Sequence, residues 1–202
     1  MCDSGAALSA LIRTGADAVG IDSDPGVLAA VTARLGEAAG VCQLRPPALP
    51  FESGSISVVT SLFTIGFTPD TALVVSDIRR ILAPGGRVVM LLWAQTCSAE
   101  QVLADAFAAS DVRSPFLDAL LEPCLGDASW LDAITLRDVA RFNDLAHFWQ
   151  GMVVERPLGD ELLTLGPATA GRIRARCAEL LAPHTAADGT LRVPVEARCL
   201  TR

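Results

Sequence analysis

Short apolar runs that alternate with helical patterns limit what this chain can fold into more than any other feature. Ala18-Val19-Gly20-Ile21, residues 41–44, the β-branched stretch 55–61 and residues 87–93 each have the length and composition of a buried strand. Between them lie amphipathic patterns. Ala7, Leu8, Leu11 and Ile12 make one face, closed by Gly15; Val27, Leu28 and Val31 make the next, from Pro25 to Leu35, with Gly36 as the stop. From Asp70 to Leu82, Leu73, Val74, Ile78, Ile81 and Leu82 oppose Asp77, Arg79 and Arg80, ahead of Pro84-Gly85-Gly86. Strands apolar on both faces need helices on both faces, so the alternation predicts an α/β fold around a mostly parallel sheet.

The length of 202 residues fits a single domain over 1–202. Apolar residues make up 51% of the chain and mean hydropathy is +0.42, yet charged residues break each apolar run before it reaches a membrane span. The amino terminus carries no basic-then-apolar leader, so the expected location is the cytoplasm, with no membrane partner. The net charge is −7 and every one of the 16 basic residues is Arg, which argues against nucleic acid. That Arg-only, Ala-rich usage also fits GC-rich bacterial coding. The 6 cysteines are widely spaced, with only 2 histidines to complete a metal site, so no zinc and no disulfide is expected.

The residues around the first strand carry a more specific signal. Asp22 ends that strand, where a carboxylate can accept both hydroxyls of a ribose. Cys2-Asp3-Ser4-Gly5 opens the helix before it, and Ser23-Asp24-Pro25 follows it. Together these segments resemble the start of a class I S-adenosylmethionine-dependent methyltransferase of the small-molecule branch. Ala48-Leu49-Pro50-Phe51 and the run from Ile78 to Val89 extend the likeness. The resemblance implies a Rossmann-like methyltransferase fold and S-adenosylmethionine as cofactor. It places Cys2, Ser4, Gly5, Asp22 and Ser23 at the cofactor, and Phe63 and Phe67 in the wall of a substrate pocket. Residues 94–130 and 141–185 would be helical segments covering the substrate.

The chain departs from that pattern in several places. The family's first strand, which precedes the glycine-rich turn and lies at the centre of the sheet, is missing, and Met1 and Asp3 stand where glycines are usual. Arg45 and Pro46 occupy the positions of an adenine acceptor and a backbone donor; arginine only donates and proline has no N–H. Ser57 replaces a usual Asp. Without the first strand, its neighbours must pair directly, borrow a strand, or leave backbone groups unpaired. Cofactor binding is therefore expected to be weak or lost.

Methyl transfer from a sulfonium is an in-line displacement governed by positioning, and a general base is optional. No catalytic residue is assigned. His147 lies in an aromatic helical stretch and reads as packing or capping, and His184 as surface. The primary expectation is methyl transfer to a small, apolar molecule. The alternative is a cofactor-free relative that serves as a scaffold or protein partner.

Overall fold

In the computed structural model, which describes residues 2, 4–36, 39–45, 47–65, 70–93, 99–121 and 125–202, the elements start and stop close to their sequence signals. The chain divides into two compact units. The first comprises Met1–Leu92, Cys124–Ala133 and Cys199–Arg202, and the second Trp93–Pro123 and Ile134–Arg198.

The first unit begins with α1 (Ala6–Arg13), β1 (Val19–Asp22), α2 (Pro25–Leu35) and β2 (Gly40–Gln43). Helix α2 shows how local chemistry sets an element. Pro25 sits in its first turn, where no N–H is needed, and the Asp24 carboxylate accepts the Gly26 N–H at 2.7 Å. From its apolar face Val31, flanked by Val27 and Leu35, packs in a small core with Leu8 of α1 and Ala39. β1 and β2 run parallel, with Val19 opposite Gly40 and Asp22 opposite Gln43.

The unit continues with β3 (Ile56–Leu62), α3 (Thr71–Ile81) and β4 (Leu82–Trp93). α3 buries Thr71, Val74, Val75, Ile78 and Ile81, the spacing of one helical face. Its polar side carries Asp77, which accepts the Leu49 N–H at 2.7 Å and pairs with Arg80 at 2.5 Å. Arg80 in turn donates to the carbonyls of Phe51 and Leu49. This clamp is why the Ala-Leu-Pro-Phe loop and the Arg-Arg helix occur together: one fixes the other. The hydrogen bond from Arg80 holds the Asp77 carboxyl below its usual range, against the opposing effect of burial.

β3 and β4 are parallel, but β4 starts earlier than the sequence signal at Arg87. Leu82 already pairs with Ile56, and the register then jumps so that Val58 meets Arg87. The Pro-Gly-Gly segment is thus a bulge inside the strand pairing, not a turn before it. On its other side β4 meets β6 (Leu191–Thr201), where Val88 and Arg202 exchange two backbone hydrogen bonds, the pattern of antiparallel neighbours. The sheet is therefore mixed.

The second unit holds α4 (Ala99–Ala108), α5 (Pro115–Leu121), most of β5 (Asp132–Phe142), α6 (Leu145–Trp149), α7 (Pro157–Leu165), α8 (Pro167–Leu181) and most of β6, which neighbours β5. Leu103, Phe107, Phe148, Leu158, Ile173 and Leu191 anchor its core. After Trp149 the helix changes to a π turn over Gln150–Val154, in which Glu155 N–H reaches the Gln150 carbonyl at 3.1 Å.

Candidate cofactor site

The first unit contains a cavity of about 270 Å³. Cys2, Ser4, Ala6 and Ala7 line it from the start of α1, Val19, Gly20 and Ile21 from β1, and Ile56 and 58–62 from β3. Its lining runs along β1 and β3 and reaches the amino end of α1. The N–H groups of the first turn of α1 have no intrahelical partner by position, and Gly5 offers no side chain to cap them. That end suits a carboxylate.

Gly5 is required by geometry. Its φ is +70°, and a Cβ there would stand 3.1 Å from Arg34 Nη2 and from both Val31 methyl carbons. Arg34, reaching from α2, donates to the Ser4 carbonyl. This arginine fastens the turn and leaves a positive charge beside it, yet it was invisible in the sequence because 30 residues separate the partners. Ser61 and Thr64, whose hydroxyls lie 3.0 Å apart, add polar atoms to the cavity lining and were also missed.

The other expected residues are less directly placed. Asp22 ends β1 as foreseen but is only 3% exposed, does not line the cavity, and accepts the Asp24 N–H through Oδ1 at 3.1 Å. The carbonyl of Ser23 accepts from Gln43 at 3.3 Å. Phe63 is outside the lining; its φ of +59° is unusual for an aromatic residue, and its N–H donates to the Leu91 carbonyl. Phe67, Asp3 and Pro46 lie outside the described residues.

The family model described as "Methyltransferase domain" matches residues 2–90. Residues 2–90 thus resemble a methyltransferase domain. A curated relative, the demethylmenaquinone methyltransferase of Lactococcus lactis, is 32% identical over 146 residues, covering 66% of this chain and 58% of that protein. The chain thus spans less than two thirds of that relative's length. Among solved structures, the YcgJ protein of Bacillus subtilis matches with a TM-score of 0.64 at 11% identity, over 99% of this chain and 87% of that one. A putative methyltransferase from Bacillus halodurans matches at 0.63 and 14% identity, over 99% and 88%. At such identities these two likenesses show the fold, which is Rossmann-like.

A methyltransferase domain of the kind matched by residues 2–90 would take S-adenosylmethionine as cofactor. The amino end of α1, with Ser4 and the adjacent Arg34, suits the carboxylate of its methionine end. Asp22 has the right chemistry and strand position for its ribose. Arg45, which the resemblance sets beside adenine, does not line the cavity. Among the described residues no helix is long and apolar enough to cross a membrane.

Proposed function

We propose that this chain transfers the methyl group of S-adenosylmethionine to a small, apolar acceptor in the cytoplasm. In this reading the helix start at Ser4 and Gly5 takes the cofactor's carboxylate, and Asp22 takes the ribose. The cofactor supplies an electrophilic methyl carbon; the chain contributes orientation and exclusion of water. The observation that carries the proposal is the cavity at the start of α1, where Ser61 and Thr64 supply the few polar groups within walls of Leu49, Phe51, Leu62 and Ile65. A relative named for a menaquinone precursor, a largely apolar molecule, agrees with such walls. The negative net charge favours a small acceptor over nucleic acid.

The test is calorimetric titration with S-adenosylhomocysteine of the parent and Asp22→Asn. Asparagine keeps an oxygen for the Asp24 N–H and removes only the charge. A lost charge-assisted hydrogen bond corresponds to roughly 10- to 100-fold weaker binding. Equal affinities would take Asp22 out of the site. The second reading, a cofactor-free protein partner, is favoured by the burial of Asp22 and its absence from the cavity lining. Parent protein that fails to bind the cofactor at millimolar concentration would select it.

A further inference from the structure

In the second unit, strand alternation sorts charge onto one face of the sheet. Arg137 of β5 pairs with Glu196 of β6 at 2.6 Å, so these two side chains share a face. Side chains an even number of positions apart along a strand point the same way, which adds Arg141 of β5 and Arg192 and Arg198 of β6 to that face. All four arginines are exposed, and Glu196 is the one acid that β5 and β6 contribute beside them within the unit. The result is a basic face on a chain whose net charge is −7.

The same strands leave an edge open. The sheet order is β3-β4-β6-β5, so among the described residues β5 is paired on one side only, and its other side presents a row of N–H and C=O groups. On the face opposite the arginines, Ile134 is 53% and Leu136 43% exposed. Asp138, whose carboxylate accepts the Val139 N–H at 2.7 Å, ends that apolar stretch. Symmetry decides against a second copy as the occupant. A two-fold axis that joins two β5 edges into one sheet stands perpendicular to the sheet and keeps each face on its own side. The arginine face of one copy would then continue into the arginine face of the other, with like charges side by side.

We propose that the open edge of β5 binds an extended segment of an acidic partner protein, with glutamate or aspartate at alternate positions and apolar residues between them. Paired on the edge, such a segment sends its acids to the face of Arg137 and Arg141 and its apolar side chains to the face of Ile134 and Leu136. Arg137 meets Glu196 through Nε, which leaves the terminal nitrogens of its fork for a second carboxylate. Arg141 lies two strand periods further on, about 13 Å along β5, so acids at the same spacing in the partner reach both arginines. The inference concerns association and holds whether or not the chain transfers methyl groups.

The test titrates the full chain with a fluorescent peptide of alternating glutamate and valine, about eight residues long to match the open strand. Two controls carry lysine in place of glutamate, or the same glutamates and valines in separate blocks. Anisotropy reads affinity, and amide hydrogen exchange over 134–142 reads the seat. The alternating acidic peptide is expected to bind about 10-fold more tightly than either control and, at saturation, to slow exchange over 134–142 by about 10-fold. Arg141→Glu combined with Arg198→Glu should weaken that binding by about 5- to 10-fold. The same double variant should take the lysine peptide more tightly than the parent does, with protection over 134–142, a gain that an unfolded variant would not show. No binding of the acidic peptide at about 1 mM, equal binding of either control, or binding without slower exchange over 134–142 would each overturn the proposal. So would a concentration-dependent dimer in which those amides are protected before any peptide is added, since that result would assign the edge to a second copy.

Discussion

Gly5→Ala measures how tightly the turn before α1 is held. An L-residue at φ +70° costs about 1–2 kcal/mol in backbone strain. The added methyl would also stand 3.1 Å from both Val31 methyl carbons and from Arg34 Nη2. The arginine tip can swing away. Val31 cannot, because it is β-branched and 1% exposed in the core of α1 and α2. Overpacking of that kind costs about 1–3 kcal/mol. Gly15→Ala is the matched control: its φ is +82°, and nothing lies within 4 Å of the new methyl. Both variants stiffen the unfolded chain equally, so that contribution cancels in the comparison. Urea unfolding followed by circular dichroism, at equal slope, should place Gly5→Ala about 1–3 kcal/mol below Gly15→Ala. Equal losses in the two variants would show that α1 does not pack on Val31 as described.

Asp22→Ala should lower stability as well as cofactor affinity, because it leaves the Asp24 N–H without its acceptor at a cost of about 1–3 kcal/mol, whereas Asp22→Asn should unfold with the parent; comparative urea melts decide this. Asp77→Ala releases both Arg80 and the Leu49 N–H, so proteolysis within 47–55 should accelerate while the Arg80→Ala variant retains one of the two ties. Burial pushes the Cys177 thiol up to about 12, so an alkylating reagent at pH 8 should label Cys2 and Cys42 rapidly and Cys177 only at the rate of unfolding, read by mass spectrometry. Burial likewise raises the Glu100 carboxyl above its ordinary value, against the pull of Arg156, 3.1 Å away. A raised folded-state value means stability is fully present below the unfolded value and falls as pH rises through the folded one. The pH slope of unfolding free energy should therefore be less negative in Glu100→Gln than in the parent above pH 4.5.

Much of the fold was legible because its signals are local. Pro25 and Gly36 bracket α2 at the residues where the helix begins and ends, and the alternation of Leu191 and Val193 with Arg192 and Pro194 marks β6. The misreadings have the opposite character. Leu82 joins β4 through a pairing with Ile56, 26 positions away along the chain, and no local pattern announces a bulge that lets a strand start before its Pro-Gly-Gly. The π turn after Trp149 depends on which carbonyl Glu155 reaches, a choice made by packing around buried Phe148 and Val153.

The same distinction explains the site. That Asp22 ends a strand and Gly5 precedes a helix was legible because each is written in a few adjacent residues. Arg34 on Ser4, and Ser61 against Thr64 at the cavity, arise only when separate elements meet. The cavity between β1 and β3 is the most instructive case. Direct pairing of the strand ending at Asp22 with the strand over 55–61 was one of three expectations. The observed pairing removes it among the described residues, since β1 and β3 do not join each other. Closing that gap would require α1 and α3 to give up the apolar walls they present to it, including Leu8, Val74, Ile78 and Ile81, each no more than 5% exposed. Those helices are already fixed by their own cores, with Val31 on one side and Val88 and Met90 on the other. Helix packing thus keeps the two strands apart, and the cavity between them persists because the elements around it have settled their contacts elsewhere.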